Sequence, residues 1–409
     1  MRDVNGRSMT SLMATEQIEV IRDLDSASRL RPAWQSMTLD PNADIDFYAA
    51  IIQARKDVLR PHVVALRSTD GKVESILAGR LERQNLEVSV GYKKVRLPSC
   101  RCLTLVHGGL MGDASQNHVR RLIRSVQSSL RNGEADLALF HALDVPSPLH
   151  EVAHQAGGVL TRDHFPTRIE RWKLRLPQSY DQLLRGLSSN TKHNLKRYSK
   201  RLTQAYGNKL LVRSYKDPTD LEWVLSDTEA IAGKTYHRGL GVGFIFNEET
   251  RRIMTLASDR GWLRAHVLYI ANRPCAFWNG FLYRRTFFTA TTGYDPDLTD
   301  YRPGTYLLQK MLEALCSEAT ADEVDFGFGA AQYKRDWCRE CQIQSSFFLF
   351  APTTKGVLLN CLRSPLIALS EGARQVLTRT GMVQKVKKLW RHRLATNENL
   401  HQSAPAEGQ

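Results

Sequence analysis

The feature that most restricts the fold of this 409-residue chain is an alternation of strand-like and helix-like segments that occurs twice in the same order. In the first half, segments 62–67 and 73–81 are apolar and rich in β-branched residues, flank Asp70-Gly71, and carry Gly79 near the end of the second run. That reads as a β-hairpin. In the second half, segments 266–271 and 275–282 flank Asn272 to Pro274 and carry Gly280 at the matching place. Histidine to glycine is 17 positions in one copy (His62 to Gly79) and 14 in the other (His266 to Gly280), so a three-residue turn insertion separates them. Each hairpin is followed by a strand, a helix and a strand: 103–107, about 116–130 and 137–141 in one copy, 287–292, about 303–317 and 324–328 in the other. A crossover helix of this length joins parallel strands, so the pattern predicts an α/β fold of two tandem units, each a mixed sheet flanked by helices. A single hydrophobic core stops growing near about 250–300 residues, which also favours two units.

The units are expected at 17–178 and 179–355, between a disordered polar leader at 1–16 and a disordered tail at 397–409, with a basic amphipathic helical extension at 356–396. Helices are also expected at 180–185 and 189–206, the latter opening on capping residues Ser188, Ser189, Asn190 and Thr191. The net charge of +15 is local: nine Lys and Arg and no acid lie in 185–216, and seven more with no acid in 372–397, so the remainder is slightly acidic. A localised basic surface points to an anionic ligand or surface. Seven scattered cysteines do not make a secreted disulfide framework, and no long uncharged apolar run is present, so a cytoplasmic protein is expected, with peripheral contact at the inner membrane face. Val383, Val386, Leu389 and Trp390 among lysines and arginines make 381–395 a candidate for contact with anionic lipid.

The residues able to carry chemistry concentrate in the second unit. Arg302-Pro303-Gly304-Thr305 opens a helix directly after a strand, where unpaired N–H groups and the positive end of the helix dipole can hold a phosphate. Next comes a cassette running from Asp325 to Trp337; strand alternation is expected to put Asp325, Gly327 and Gly329 on one face, with Tyr333 and Lys334 offering a phenol and an ammonium at the following turn. Lys192, Lys196 and Arg197 on the basic helix, with His237 and Arg238 in a glycine-rich stretch, are candidate contacts to a phosphate-bearing substrate, as is Trp337. Cys338-Arg-Glu-Cys341 has the spacing of half a zinc site, but no second pair follows it, so no metal is expected. His107-Gly-Gly109 lacks the nucleophile elbow that an oxyanion turn would accompany.

The order of these motifs resembles the GNAT-fold acyltransferases of the BioF2-like group, which includes CelD-like proteins and is related to FemAB-type peptidoglycan-bridge transferases. The resemblance rests on Ser189-Asn190-Thr191-Lys192 through Arg201-Leu202, on 236–239, on Pro274-Cys275-Ala276, on Tyr294-Asp295 with Arg302-Pro303-Gly304, and on the cassette ending at Trp337. It implies two GNAT-like (acyl-CoA N-acyltransferase) domains, with acyl-CoA as the donor and its pyrophosphate at 302–305. It also implies an acceptor amine or hydroxyl on a phosphate-bearing or lipid-linked envelope or exopolysaccharide precursor. Lys334 would stabilise charge at the reacting carbonyl, Asp325 or a water it orders would accept the nucleophile's proton, and Tyr333 would donate to the leaving group. Around 302–307 the chain departs from the Arg-x-x-Gly-x-Gly/Ala signature common in acetyl-CoA-dependent members. Two alternatives are an aminoacyl-tRNA-dependent transfer of the FemAB type, with tRNA as partner, and a non-catalytic nucleic-acid or membrane adaptor on the same fold.

Overall fold

The computed structural model describes residues 17–90, 93–235 and 243–379. His237 and Arg238, the leader, the tail and the basic segment 381–395 lie outside the described residues. Among the described residues the strands are β1 (Gln17–Ile21), β2 (Val58–Arg67), β3 (Val73–Val90), β4 (Lys93–Gly112), β5 (Leu137–Asp144), β6 (Thr167–Arg175), β7 (Leu210–Tyr215), β8 (Leu263–Ile270), β9 (Arg273–Tyr283), β10 (Thr286–Tyr294), β11 (Glu323–Phe328) and β12 (Cys341–Phe350).

All twelve lie in one mixed sheet, ordered β1-β2-β3-β4-β5-β12-β6-β11-β10-β9-β8-β7. Exchanging each strand for the one six places away along the chain reverses this order and leaves it unchanged, so the two halves are related as a tandem repeat. The pairings repeat as well: neighbours are antiparallel except β4–β5 and β10–β11, which are parallel. β6 pairs with β11 of the second half, β12 pairs with β5 of the first, and the two meet antiparallel at the centre. Each half thus completes its sheet with the other half's last strand.

The turn insertion read from the sequence is present. β2 and β3 are joined through 68–72, whereas Ala271 and Asn272, at φ 50° and 64°, alone join β8 to β9. Two consecutive residues at positive φ match the right-handed twist of the flanking strands.

The crossover helices Gln116–Arg131 and Pro303–Glu318 each bury one stripe. Val119, Leu122, Ile123, Val126 and Leu130 pack under the first half, and Leu307, Leu308, Met311, Leu312 and Leu315 under the second, at the three-and-four spacing of an amphipathic helix. On the opposite face Phe47, from the helix Ile45–Ala54, joins the second half's core edge-on to Trp262 and Phe281 at centroid distances of 5.6 and 5.3 Å. Full burial of such side chains is worth about 1.5–3 kcal/mol each.

β3 and β4 are 18 and 20 residues long, well beyond the 73–81 and 103–107 expected, because their distal parts alternate polar with apolar and carry few of the residues that announce a strand. The helix Thr354–Arg379 covers that distal hairpin, seating Leu359, Leu366 and Ile367 with Leu86, Val88, Leu97 and Phe350. As far as it is described, the expected C-terminal amphipathic extension therefore docks on its own chain.

Candidate functional site

The site forms where two parallel strands part. β10 and β11 pair only from Thr286 to Phe288 and from Glu323 to Asp325; beyond that, β10 follows β9 to Tyr294 and β11 follows β6 to Phe328. The separation is helped by irregularities in both ladders, between Thr289 and Thr291 on β10 and between Asp325 and Gly327 on β11. Gly327 and Gly329 have φ 69° and 82°, a left-handed backbone that only glycine adopts without strain. A cavity of about 690 Å³ opens beside the parting strands, walled by Gly293 and Tyr294 of β10, Trp278 of β9, the start of the Pro303–Glu318 helix, and one side each of the helices Ser189–Tyr206 and Gln332–Trp337.

Five of the sequence-predicted residues line this cavity: Arg302, Gly304, Thr305, Tyr333 and Trp337. Arg302 is left-handed (φ 53°), is not capped by a side chain, and turns its guanidinium over the Tyr198 ring at 5.8 Å. Pro303 is buried at the first helical position and supplies no N–H. The N–H groups of Thr305 and Tyr306 both return to the Arg302 carbonyl (3.1 and 3.2 Å), so an anion at this helix start would meet the Gly304 N–H, the dipole and the Arg302 side chain. A Cβ on Gly304 would touch Tyr294 at an ordinary 3.4 Å, so the glycine brings that ring close without being sterically obligatory. Tyr333 packs edge-on to Trp278 and Phe326 (5.4 and 5.8 Å), and burial pushes its phenol up to about 12, keeping it protonated as a potential donor.

Asp325 and Lys334 are placed elsewhere. The bulge after Asp325 breaks the alternation expected to align it with Gly327 and Gly329, and the carboxylate turns into a buried ion network. Arg171 of β6 donates to Asp325 Oδ2 through Nε (2.7 Å) and Nη2 (2.5 Å), and reaches Asp40 at 3.2 Å. Its Nη1 donates to His107 Nε2 at 2.6 Å. Burial and the guanidinium lower the pKa of that imidazole against the opposing pull of Asp40, so Nε2 stands as an acceptor. Asp325 Oδ1 accepts the Gly327 N–H at 2.8 Å and so fixes the bulge. Lys334 is 4% exposed and braces the same turn, its Nζ donating to the carbonyls of Phe328 (2.7 Å) and Gly327 (3.2 Å). Burial lowers its pKa, with Asp325 acting in the opposite sense. These two residues shape the wall of the cavity while Tyr333 faces into it.

Lys192, Lys196 and Arg197 are exposed along the rim, on the helix whose Thr191, Asn194 and Tyr198 line the cavity. Lys192 Nζ donates to the Arg185 carbonyl at 3.0 Å, and Arg197 stacks on Tyr198 at 5.0 Å. Sequence reasoning passed over two further lining residues. Asp336 follows Tyr333 by three positions, a spacing that puts both on one face of a helix; Trp278 sits mid-hairpin, with nothing local to separate it from ordinary core. Among the described residues no group of three His, Cys, Asp or Glu could hold a metal, and no helix is long and apolar enough to cross a membrane.

Residues 189–335 match the family model described as an acetyltransferase (GNAT) domain. That segment is similar to GNAT acetyltransferase domains, which supports an acyltransferase. The matched segment holds β7 to β11, both parting strands and most of the cavity wall, and omits the exchanged strands β6 and β12. Among solved structures, FemX superposes with a TM-score of 0.51 at 10% identity, over 82% of this chain and 97% of FemX. A tandem GNAT protein from the clavulanic acid biosynthesis pathway gives 0.49 at 11% identity, over 83% and 100%. The C-terminal domain of a putative lysylphosphatidylglycerol synthetase from Agrobacterium fabrum gives 0.48 at 10% identity, over 84% and 96%. Among curated proteins none matches the sequence. The two tandem GNAT-like units expected from the repeat are present, in keeping with the BioF2-like and FemAB-like resemblance.

Proposed function

We propose that the protein moves an acyl group from an acyl-CoA thioester to an amine or hydroxyl of a phosphate-bearing envelope or exopolysaccharide precursor. The observation that carries this reading is the cavity at the parting of β10 and β11, with Arg302 and Gly304 at one side and the Tyr333 phenol at another. In the reading, the donor's phosphates lie against the start of the Pro303–Glu318 helix. The thioester reaches the wedge, where backbone of β10 freed from β11 is available to its carbonyl oxygen. The acceptor nitrogen or oxygen attacks the carbonyl carbon, the new C–N or C–O bond forms as the C–S bond breaks, Tyr333 supplies a proton to the departing sulfur, and the proton lost by the acceptor returns through solvent to the Tyr333 phenolate. The basic segment 381–395 would hold the enzyme at an anionic membrane surface near such a precursor.

The exposed cations of the Ser189–Tyr206 helix support a second reading, transfer from an aminoacyl-tRNA. Among the described residues Lys192, Lys196, Arg197, Lys200 and Arg201 form no ion pair with an acid, and they follow the cavity rim. Thermal unfolding with acetyl-CoA, a long-chain acyl-CoA and tRNA separates the two, because a ligand that binds only the folded state raises its stability. Stabilisation by a thioester is expected; stabilisation by tRNA alone would replace the first reading with the second.

A further inference from the structure

Among the described residues two charged side chains line the cavity without an ion-pair partner. Arg302 is one. The other is Asp336, whose carboxylate accepts a single hydrogen bond from the neutral Gln332 amide (2.9 Å) and, among the described residues, forms no ion pair. Asp336 is half-buried on the short helix Gln332–Trp337, on the side that carries Tyr333. Aromatic rings of Tyr333, Trp337, Trp278 and Tyr294 line the same cavity. Trp278 is 2% exposed and its indole N–H has no partner, a second polar group in this wall that the fold leaves unspent. A half-buried carboxylate not paired by the chain, with aromatic rings lining the same cavity, suits one class of ligand group, an organic cation.

We propose that Asp336 is the specificity-determining residue for an ammonium group on one of the two substrates, held with its charge on the carboxylate and its hydrocarbon against the rings. The inference deepens the acyl-transfer reading and rests on it. The ammonium can belong to the acyl group being moved or to the acceptor, and the experiment distinguishes these sources. Binding to the full-length chain is measured calorimetrically for two matched pairs. Glycyl-CoA against acetyl-CoA varies the acyl group; phosphoethanolamine against 2-hydroxyethyl phosphate, in the presence of coenzyme A, varies the acceptor. The expected result is about a tenfold preference for the ammonium member of one pair, equivalent to about 1.4 kcal/mol. Asp336→Asn abolishes that preference and Asp336→Glu retains it, so loss of charge is read separately from loss of fold. Equal affinities within both pairs, or a preference that survives Asp336→Asn, would overturn the assignment. Failure of the wild type to bind acetyl-CoA while either preference persists would instead count against the donor reading and leave Asp336 assigned.

Discussion

Replacing Arg171 by methionine tests whether one buried cation organises the centre of the sheet. Arg171 is 9% exposed, on the strand that the first half contributes to the second, and it serves Asp325 (2% exposed) and Asp40 (7% exposed) at once. Methionine fills much of the same volume but leaves two carboxylates buried without their cation, and removing one partner of a buried pair costs about 3–5 kcal/mol. Urea unfolding of the wild type, Arg171→Met, Asp325→Asn and the double variant at pH 7.5 provides the measurement. Asparagine keeps the shape of Asp325 without its charge, so the double variant should recover 1 kcal/mol or more over Arg171→Met, on the order expected for coupled neighbours. If the two changes add, Arg171 acts by packing alone and the electrostatic account is wrong.

Acid sensitivity should have a defined origin. His62 and His266, one in each half on β2 and β8, are held down to about 4 chiefly by burial. Below pH 6.5 the unfolded chain takes up protons that the folded chain refuses until about pH 4, so stability falls across that window. With one pKa unit worth 1.36 kcal/mol, each histidine removes about 2 kcal/mol by pH 5. His266→Gln should flatten the pH dependence of urea unfolding between pH 6.5 and 5 by one histidine's share; an unchanged slope would show that other groups govern it. Lys334→Met leaves the part-buried carbonyls of Gly327 and Phe328 without their donor. It is expected to lower stability by about 1–3 kcal/mol as well as turnover. A variant as stable as the wild type but without turnover would return Lys334 to a direct role at the reacting carbonyl.

Hairpins and crossover helices were legible in the sequence because their information is local. Asn272 and Pro274 around the turn, and the serines at 179 and 188 that cap the helices Tyr180–Arg185 and Ser189–Tyr206, announce elements within a few residues of themselves. The exchange of β6 and β12 was not legible. Segment 167–175 alternates like many strands, and nothing in it states that its partners will be β11 and β12, each more than 140 positions away. The same gap explains Asp325. Its residue type and its glycine neighbours marked it as chemically active, yet its orientation was decided by a bulge and by Arg171, 154 positions earlier. Arg302, Gly304 and Tyr333 were placed at the cavity because the start of a helix and the turn after a strand are local geometry.

The duplication leaves two helix starts that differ in backbone, left-handed at Arg302 and extended at Ser115, and are opposite in charge, and that contrast bears on where a phosphorylated donor can sit. In the second half the helix begins at Arg302 without a side-chain cap, and no acid pairs with the guanidinium among the described residues. In the first half the corresponding helix begins after Ser115, and its approach already holds a carboxylate of the chain: Asp113 accepts the Ser115 N–H at 2.8 Å and lies 3.1 Å from His118, which also faces Glu74 at 3.6 Å. A phosphate arriving there would meet two acids, whereas at Arg302 it would meet a cation and a dipole of the favourable sign, each worth about 0.3–1 kcal/mol at an exposed helix end. Arg302→Ala is therefore expected to weaken acyl-CoA binding about tenfold, since direct contacts with a guanidinium add to the dipole, and Asp113→Ala to leave it within about twofold. Isothermal titration with acetyl-CoA reads both. If Asp113→Ala tightens binding, or Arg302→Ala leaves it unchanged, the donor does not use the second half's helix start, and the assignment of that cavity to acyl transfer fails with it.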